Sequence, residues 1–175
     1  AWAWCIALGT RCSGGPSRDA TDVSALINPG ETDRVESWIR EAVAEGAEVR
    51  CGGEVEGGVL APTVLTGVLP DMKVCNTEVF GPVVGVAVYD DWHEALRLAN
   101  DTRYGLQAGV FTRDVGRALE AGHVLDFGGV LVNEVPTWRA DHMPYGGVRD
   151  SGNTREGPPY AVQEMTERRL VVLQG

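Results

Sequence analysis

A chain of 175 residues is long enough to bury a real core and holds one domain or a little more. Its 43% hydrophobic and 23% charged residues are ordinary for a folded protein; a net charge of −10 and a pI near 4.7 exclude a nucleic-acid surface, which needs clustered Lys and Arg. No apolar run reaches the roughly 20 residues of a spanning helix and Ala1–Leu8 lacks the basic start of a secretory signal, so the expectation is a cytoplasmic protein with no membrane partner.

Residues 1–20 read as an irregular N-terminal segment, with Trp2 and Trp4 alternating with alanines and a breaker cluster at Ser13-Gly14-Gly15-Pro16-Ser17. Cys5-Ile6-Ala7-Leu8 fits a short strand or a helix start. The Gly14-Gly15 pair has neither the preceding strand nor the following helix of a phosphate loop. The next signal is clean: Asn28 as N-cap, Pro29 at the first helical position and Glu31 able to reach back predict a helix start. Val35, Trp38, Ile39, Ala42 and Val43 then form one apolar stripe ending at Gly46. Ala47–Cys51 and Val59–Val68 read as extended. Pro82–Tyr89 is almost wholly apolar, as in a strand covered on both faces.

Asp91 and Glu94 predict a second capped helix with Ala95, Leu96 and Ala99 inward; Gly109–Thr112 is a strand; Asp114 caps a third helix carrying Val115, Ala118, Leu119 and Gly122; Val130–Asn133 is again a strand. Strand, helix and strand at these lengths give a βαβ pattern, hence an α/β fold with a largely parallel sheet and flanking helices. Pro136–Gly157 holds too many breakers for regular structure, and its Trp138, His142, Met143 and Tyr145 suit a loop around a pocket. Tyr160–Met165 reads as a short helix and Arg168–Leu173 as an apolar edge strand that calls for a cover.

The cysteines Cys5, Cys12, Cys51 and Cys75 match no zinc spacing; Cys51 and Cys75 read as buried packing residues, and no metal site is expected at the three histidines. Glu134, at a strand's C-terminal end beside Asn133, stands where α/β folds line clefts. The organising stretch is Asn76-Thr77-Glu78-Val79-Phe80-Gly81-Pro82. In an extended segment residues i and i+2 share a face, so Glu78 and Phe80 would present a carboxylate and a flat ring together, a combination suited to a sugar diol beside a planar heterocycle.

That stretch resembles the Glu-x-Phe-Gly-Pro signature of the NAD(P)-dependent aldehyde dehydrogenase superfamily. Its neighbours strengthen the likeness in family order: Ala61-Pro62-Thr63-Val64-Leu65, Asn100–Leu106, Gly129–Asn133, Met143–Gly152 and Arg155-Glu156-Gly157. The resemblance implies that Glu78 binds the nicotinamide ribose of NAD or NADP, that Phe80 packs near the nicotinamide, and that Trp138 and Tyr145 line the path of a small-molecule aldehyde, the two aromatics being anchors of the loop in the alternative reading; Glu134 is a substrate-pocket candidate from its strand-end position alone. It implies Cys5 as the nucleophile, although Ala3-Trp4 departs from the family's Gly-Gln before that position. Residues 21–166 would be part of the catalytic domain and residues 167–175 an oligomerisation strand pairing across a homo-oligomer interface.

The family's reaction oxidises an aldehyde to a carboxylic acid through a cysteine thioester. Its general base lies in a Glu-Leu-Gly-Gly run absent from this sequence, and neither the cofactor domain nor the family's oxyanion asparagine has a counterpart here. The chain alone is therefore expected to be incomplete and inactive, needing a complementing cofactor-domain chain, with an apolar face left uncovered. The alternative is a non-catalytic module that binds partners through Arg168–Leu173.

Overall fold

The structure is a computed structural model and describes residues 13–175. Cys5 and the expectations for residues 1–12 lie outside the described residues. The chain divides into two compact units, the first ending at Tyr89 and the second running from Asp90 to Gly175.

The first unit opens with helix α1 (Pro29–Ala44), whose N-cap Asn28 accepts a hydrogen bond from the Glu31 amide. The Glu31 carboxylate does not reach back to the cap; it is held instead by Arg34 one turn on, at 2.8 Å. Val35, Ile39 and Ala42 are buried, whereas Val43, at the stripe's edge, is exposed. Strand β1 (Glu48–Cys51) is followed by a hairpin of β2 (Val55–Glu56) and β3 (Val59–Leu60), then β4 (Thr63–Thr66), short helix α2 (Lys73–Asn76) and β5 (Val83–Val86). The expected Val59–Val68 strand is thus two strands, broken at Ala61-Pro62. The hairpin was not anticipated, yet Gly57-Gly58 carries its signal: both glycines have positive φ, +57° and +82°, the backbone of the tight two-residue turn that glycine adopts at least cost.

The sheet has the order β1-β4-β5. The β4–β5 pair is parallel, as a crossover through α2 requires, while β1 runs antiparallel to β4 because only the short hairpin joins them. Against it α1 lays Val35, Ile39 and Ala42, which join Leu60, Leu65, Met72 and Val74 in one core with Val79 and Val83 packed at its margin. Each fully buried Val, Leu or Ile contributes about 1.5–3 kcal/mol. Pro82–Tyr89 is shorter as a strand than expected and is not covered on both faces: Val84, Val88 and Tyr89 are exposed.

The second unit holds α3 (Trp92–Asn100), β6 (Gln107–Val110), α4 (Val115–Val124) and β7 (Gly129–Val132), with β6 and β7 parallel in register from Gln107↔Gly129 to Val110↔Val132. Asp91 and Asp114 cap α3 and α4 by accepting the amides of Glu94 and Arg117. On α3 Leu96 is buried but Ala99 is exposed. On α4 Val115 and Leu119 are each 72% exposed, and the inward face is Ala118, Ala121 and then Leu125 beyond the helix end. Both faces of α4 recur with helical spacing, so periodicity alone could not choose between them. After a short 3-10 turn at Arg149–Ser151, α5 (Pro158–Glu164) is the last helix. Arg168–Leu173 forms no strand within the described chain, and Leu170, Val171, Val172 and Leu173 are exposed.

Candidate active site

The segment from Asn76 to Pro82 is fixed from beneath. Val79 packs against the first unit's core, and its carbonyl accepts a 2.8 Å hydrogen bond from Arg34 Nη2. Arg34 is itself braced by Glu31 and stacks on Trp38, its guanidinium carbon 4.4 Å from the ring centre. With Val79 inward, Glu78 and Phe80 are both exposed, Phe80 at 74%. The backbone is not continuously extended, however. Phe80 has φ +50°, a left-handed conformation that costs a bulky residue about 1–3 kcal/mol and is seen where function holds it. The next residue needs no side chain: a Cβ on Gly81 would lie 3.2 Å from both Val35 methyls. Sequence reasoning missed Arg34, which stands 45 residues from Val79 and carries no local signal.

In the second unit, Glu134 and Trp138 come together. They line an open pocket of about 460 Å³ with Val130, Leu131, Val132, Asn133 and Met143, a size in the range of small-ligand sites. The pocket lies at the C-terminal end of β7, where ligands gather in α/β folds. Asn133 has φ +58° and its Oδ1 accepts the Thr112 amide at 2.9 Å; this side chain ties the ends of β6 and β7 while its neighbour faces the pocket. Glu134 Oε1 accepts the Val135 amide at 2.8 Å. Trp138 is 46% exposed. Tyr145 does not line this pocket: its ring lies under Arg139, 4.5 Å from the guanidinium carbon, and Arg139 pairs with Glu156 at 3.0 Å. Asn133 was not singled out from the sequence, although a strand-end Asn with a left-handed backbone is a recurring device.

Thr154 is not among the residues of positive φ; Arg149, at +55°, Gly152 and Gly157 are. Cys51 is half-buried and Cys75 is exposed rather than buried; partial burial still pushes the Cys75 thiol above its ordinary pKa. His93 Nδ1 lies 3.1 Å from Glu120, which also accepts from Trp92 Nε1. Among the described residues no group of three or more His, Cys, Asp or Glu is placed to hold a metal ion, and no helix is long and apolar enough to cross a membrane.

The first unit thus carries an exposed carboxylate and an exposed ring on a pinned backbone, and the second an open pocket with a carboxylate and an indole at a strand end. The sequence model described as the aldehyde dehydrogenase family matches residues 8–171, and the chain belongs to that family. It is 50% identical over 160 residues to 3-sulfolactaldehyde dehydrogenase of Priestia aryabhattai and 40% identical to lactaldehyde dehydrogenase of Methanococcus aeolicus, in each case across 91% of this chain and 34% of the relative. Among solved structures it is similar to aldehyde dehydrogenase 21 of Physcomitrella patens in complex with succinate, with a TM-score of 0.92 at 37% identity over 95% of this chain and 34% of that one. Glyceraldehyde-3-phosphate dehydrogenase GapN of Methanocaldococcus jannaschii, complexed with NADP, gives 0.89 at 35% identity, over 94% and 36%. The chain spans about a third of the length of the curated relatives it matches. The fold is that of the family's catalytic-domain neighbours, and a nicotinamide cofactor goes with the family.

Proposed function

We propose that this chain is the later part of an aldehyde-oxidising catalytic domain, residues 21–166, and that the reaction converts a small polar aldehyde to its acid with NAD or NADP. The observation that carries the reading is the pinned Glu78-Val79-Phe80 segment, whose exposed carboxylate and ring suit a ribose diol and a nicotinamide face. Phe80 pays backbone strain to stay exposed, which a merely structural aromatic has no reason to do. A bound nicotinamide supplies hydride acceptance. Glu78 would accept hydrogen bonds from the ribose hydroxyls and Phe80 would hold the ring plane by packing. In the second unit Trp138 would wall the aldehyde's approach and Glu134 would accept a hydrogen bond from its hydroxyl, a group that lactaldehyde carries. Tyr145, through Arg139, would fix the loop. Cys5 is the candidate thiol for attack on the carbonyl, its thiolate being the nucleophile.

The test is NADH or NADPH formation with lactaldehyde and sulfonated aldehydes, by the chain alone and mixed with candidate cofactor-domain chains. Activity in a mixture, lost in Cys5→Ser and with dinucleotide KM raised in Glu78→Gln, is the expected result. Turnover unaffected by both substitutions overturns the assignment of these residues. A second reading, a module that assembles with partners without catalysis, is favoured by the exposed run Leu170–Leu173; it stands if no mixture is active while the chain still associates.

A further inference from the structure

The loop 136–157 carries Trp138 and Met143, and a cluster of hydrogen bonds near its C-terminal end ties it to its unit. Three consecutive residues, Arg149, Asp150 and Ser151, each bond to the stretch from Asn100 to Gly105. Arg149 Nη1 donates to the carbonyls of Asn100, at 3.0 Å, and Thr102; Nη2 donates to the carbonyl of Asp126; and Nε faces the Asp126 carboxylate at 3.3 Å. The Asp150 carboxylate takes Arg103 Nε, the Asp150 amide donates to the Arg103 carbonyl, and Ser151 Oγ accepts the Gly105 amide at 3.0 Å. The Arg149 side chain is only 25% exposed, and all three of its nitrogens are used.

The seat beneath is glycine. A Cβ on Gly128 would fall 1.7 Å from the Gly146 carbonyl oxygen, and one on Gly105 would fall 2.6 Å from Val148 Cγ2, so the loop backbone rests directly on the backbones flanking β6 and β7. Gln107, on β6, reaches the Trp138 carbonyl at 3.5 Å. Arg149 holds this arrangement from a left-handed backbone, φ +55°, a strained conformation that persists only where surroundings over-determine it. Its guanidinium also meets the exposed carbonyl end of α3 at Asn100, where a cation is favoured by the helix dipole. A fork of donors reaching three carbonyls and a carboxylate is arginine's geometry and not lysine's.

We propose that Arg149 is a positioning residue for the substrate pocket: by clasping the loop to the end of α3 and to the turn between α4 and β7, it fixes the wall that Trp138 and Met143 form, without touching the ligand. The pocket's use for an aldehyde rests on the functional reading above, but the clasp itself does not. The experiment is hydrogen exchange on the full chain, wild type against Arg149→Ala and Arg149→Lys, without ligand. Loss of charged hydrogen bonds should raise amide exchange across residues 138–148 about tenfold or more in Arg149→Ala, with β6 and β7 unchanged. Arg149→Lys should fall between, and millimolar guanidinium should restore protection to Arg149→Ala but not to Arg149→Lys. Should Arg149→Ala fail to fold, the lysine variant's exchange decides: loop amides loosened ahead of β6 and β7 support the clasp. Unchanged loop exchange, or equal loosening of β6 and β7, overturns it. In an active mixture, Arg149→Lys should raise aldehyde KM several-fold and change kcat less; inactivity of every mixture with the loop exchange as expected overturns only the aldehyde reading.

Discussion

Arg34 shows how far a site residue can lie from the site it serves. Its hydrogen bond to the Val79 carbonyl is the fixed point from which Glu78 and Phe80 project, and a hydrogen bond with a charged donor contributes about 1.5–3 kcal/mol. Arg34→Met, which keeps the packing on Trp38, should therefore lower stability by about 1 kcal/mol or more in urea titration and raise the dinucleotide KM more than it lowers kcat. An unchanged KM would place the rigidity of the segment elsewhere. At Cys75 the chemistry is set by partial burial, which pushes the thiol pKa above its ordinary value. Only the thiolate reacts, so iodoacetamide labelling of Cys75 at pH 7–8 should be slower than that of an ordinary free thiol despite its exposure, and should keep rising with pH after the free thiol has levelled off. A rate equal to the free thiol's at every pH would contradict this.

Among the elements, the helix starts were the most legible part of the sequence. Asn28, Asp91 and Asp114 all cap as read, because a side-chain acceptor three residues before an amide is a local geometry. Asp114→Ala should cost about 1 kcal/mol by thermal or urea unfolding. The βαβ order of β6, α4 and β7 was legible for the same reason, being a matter of period and length. Period and length do not choose the inward face of α4, where small Ala118 and Ala121 turn inward and larger Val115 and Leu119 turn out. Close packing selected the alanines, and close packing is invisible in a single chain's periodicity. Leu119→Lys should thus change stability by less than about 0.5 kcal/mol, whereas Ala121→Leu should cost about 1–3 kcal/mol by overpacking.

The site was legible as a motif but not as a geometry. Glu78, Phe80, Glu134 and Trp138 are exposed or half-buried where a site could use them, yet the left-handed turn at Phe80, the Arg34 brace and the Arg149 clasp all arise from tertiary contacts. Gly81 joins the two levels: its missing Cβ leaves room for Val35, so the motif glycine is also a core residue of α1's contact. Gly81→Ala should destabilise by about 1–3 kcal/mol, and Val35→Ala by about 2 kcal/mol. The pair together should lose less than the sum, a coupling readable in a double-mutant cycle.

For the whole molecule, the unpaired row of Leu170, Val171, Val172 and Leu173 has a thermodynamic signature apart from any activity. Association that occurs only between folded chains stabilises them by mass action. If that row is an oligomer contact, dilution alone should lower the melting temperature, and Val172→Asp should abolish the dependence on protein concentration while leaving the dilute-limit value in place.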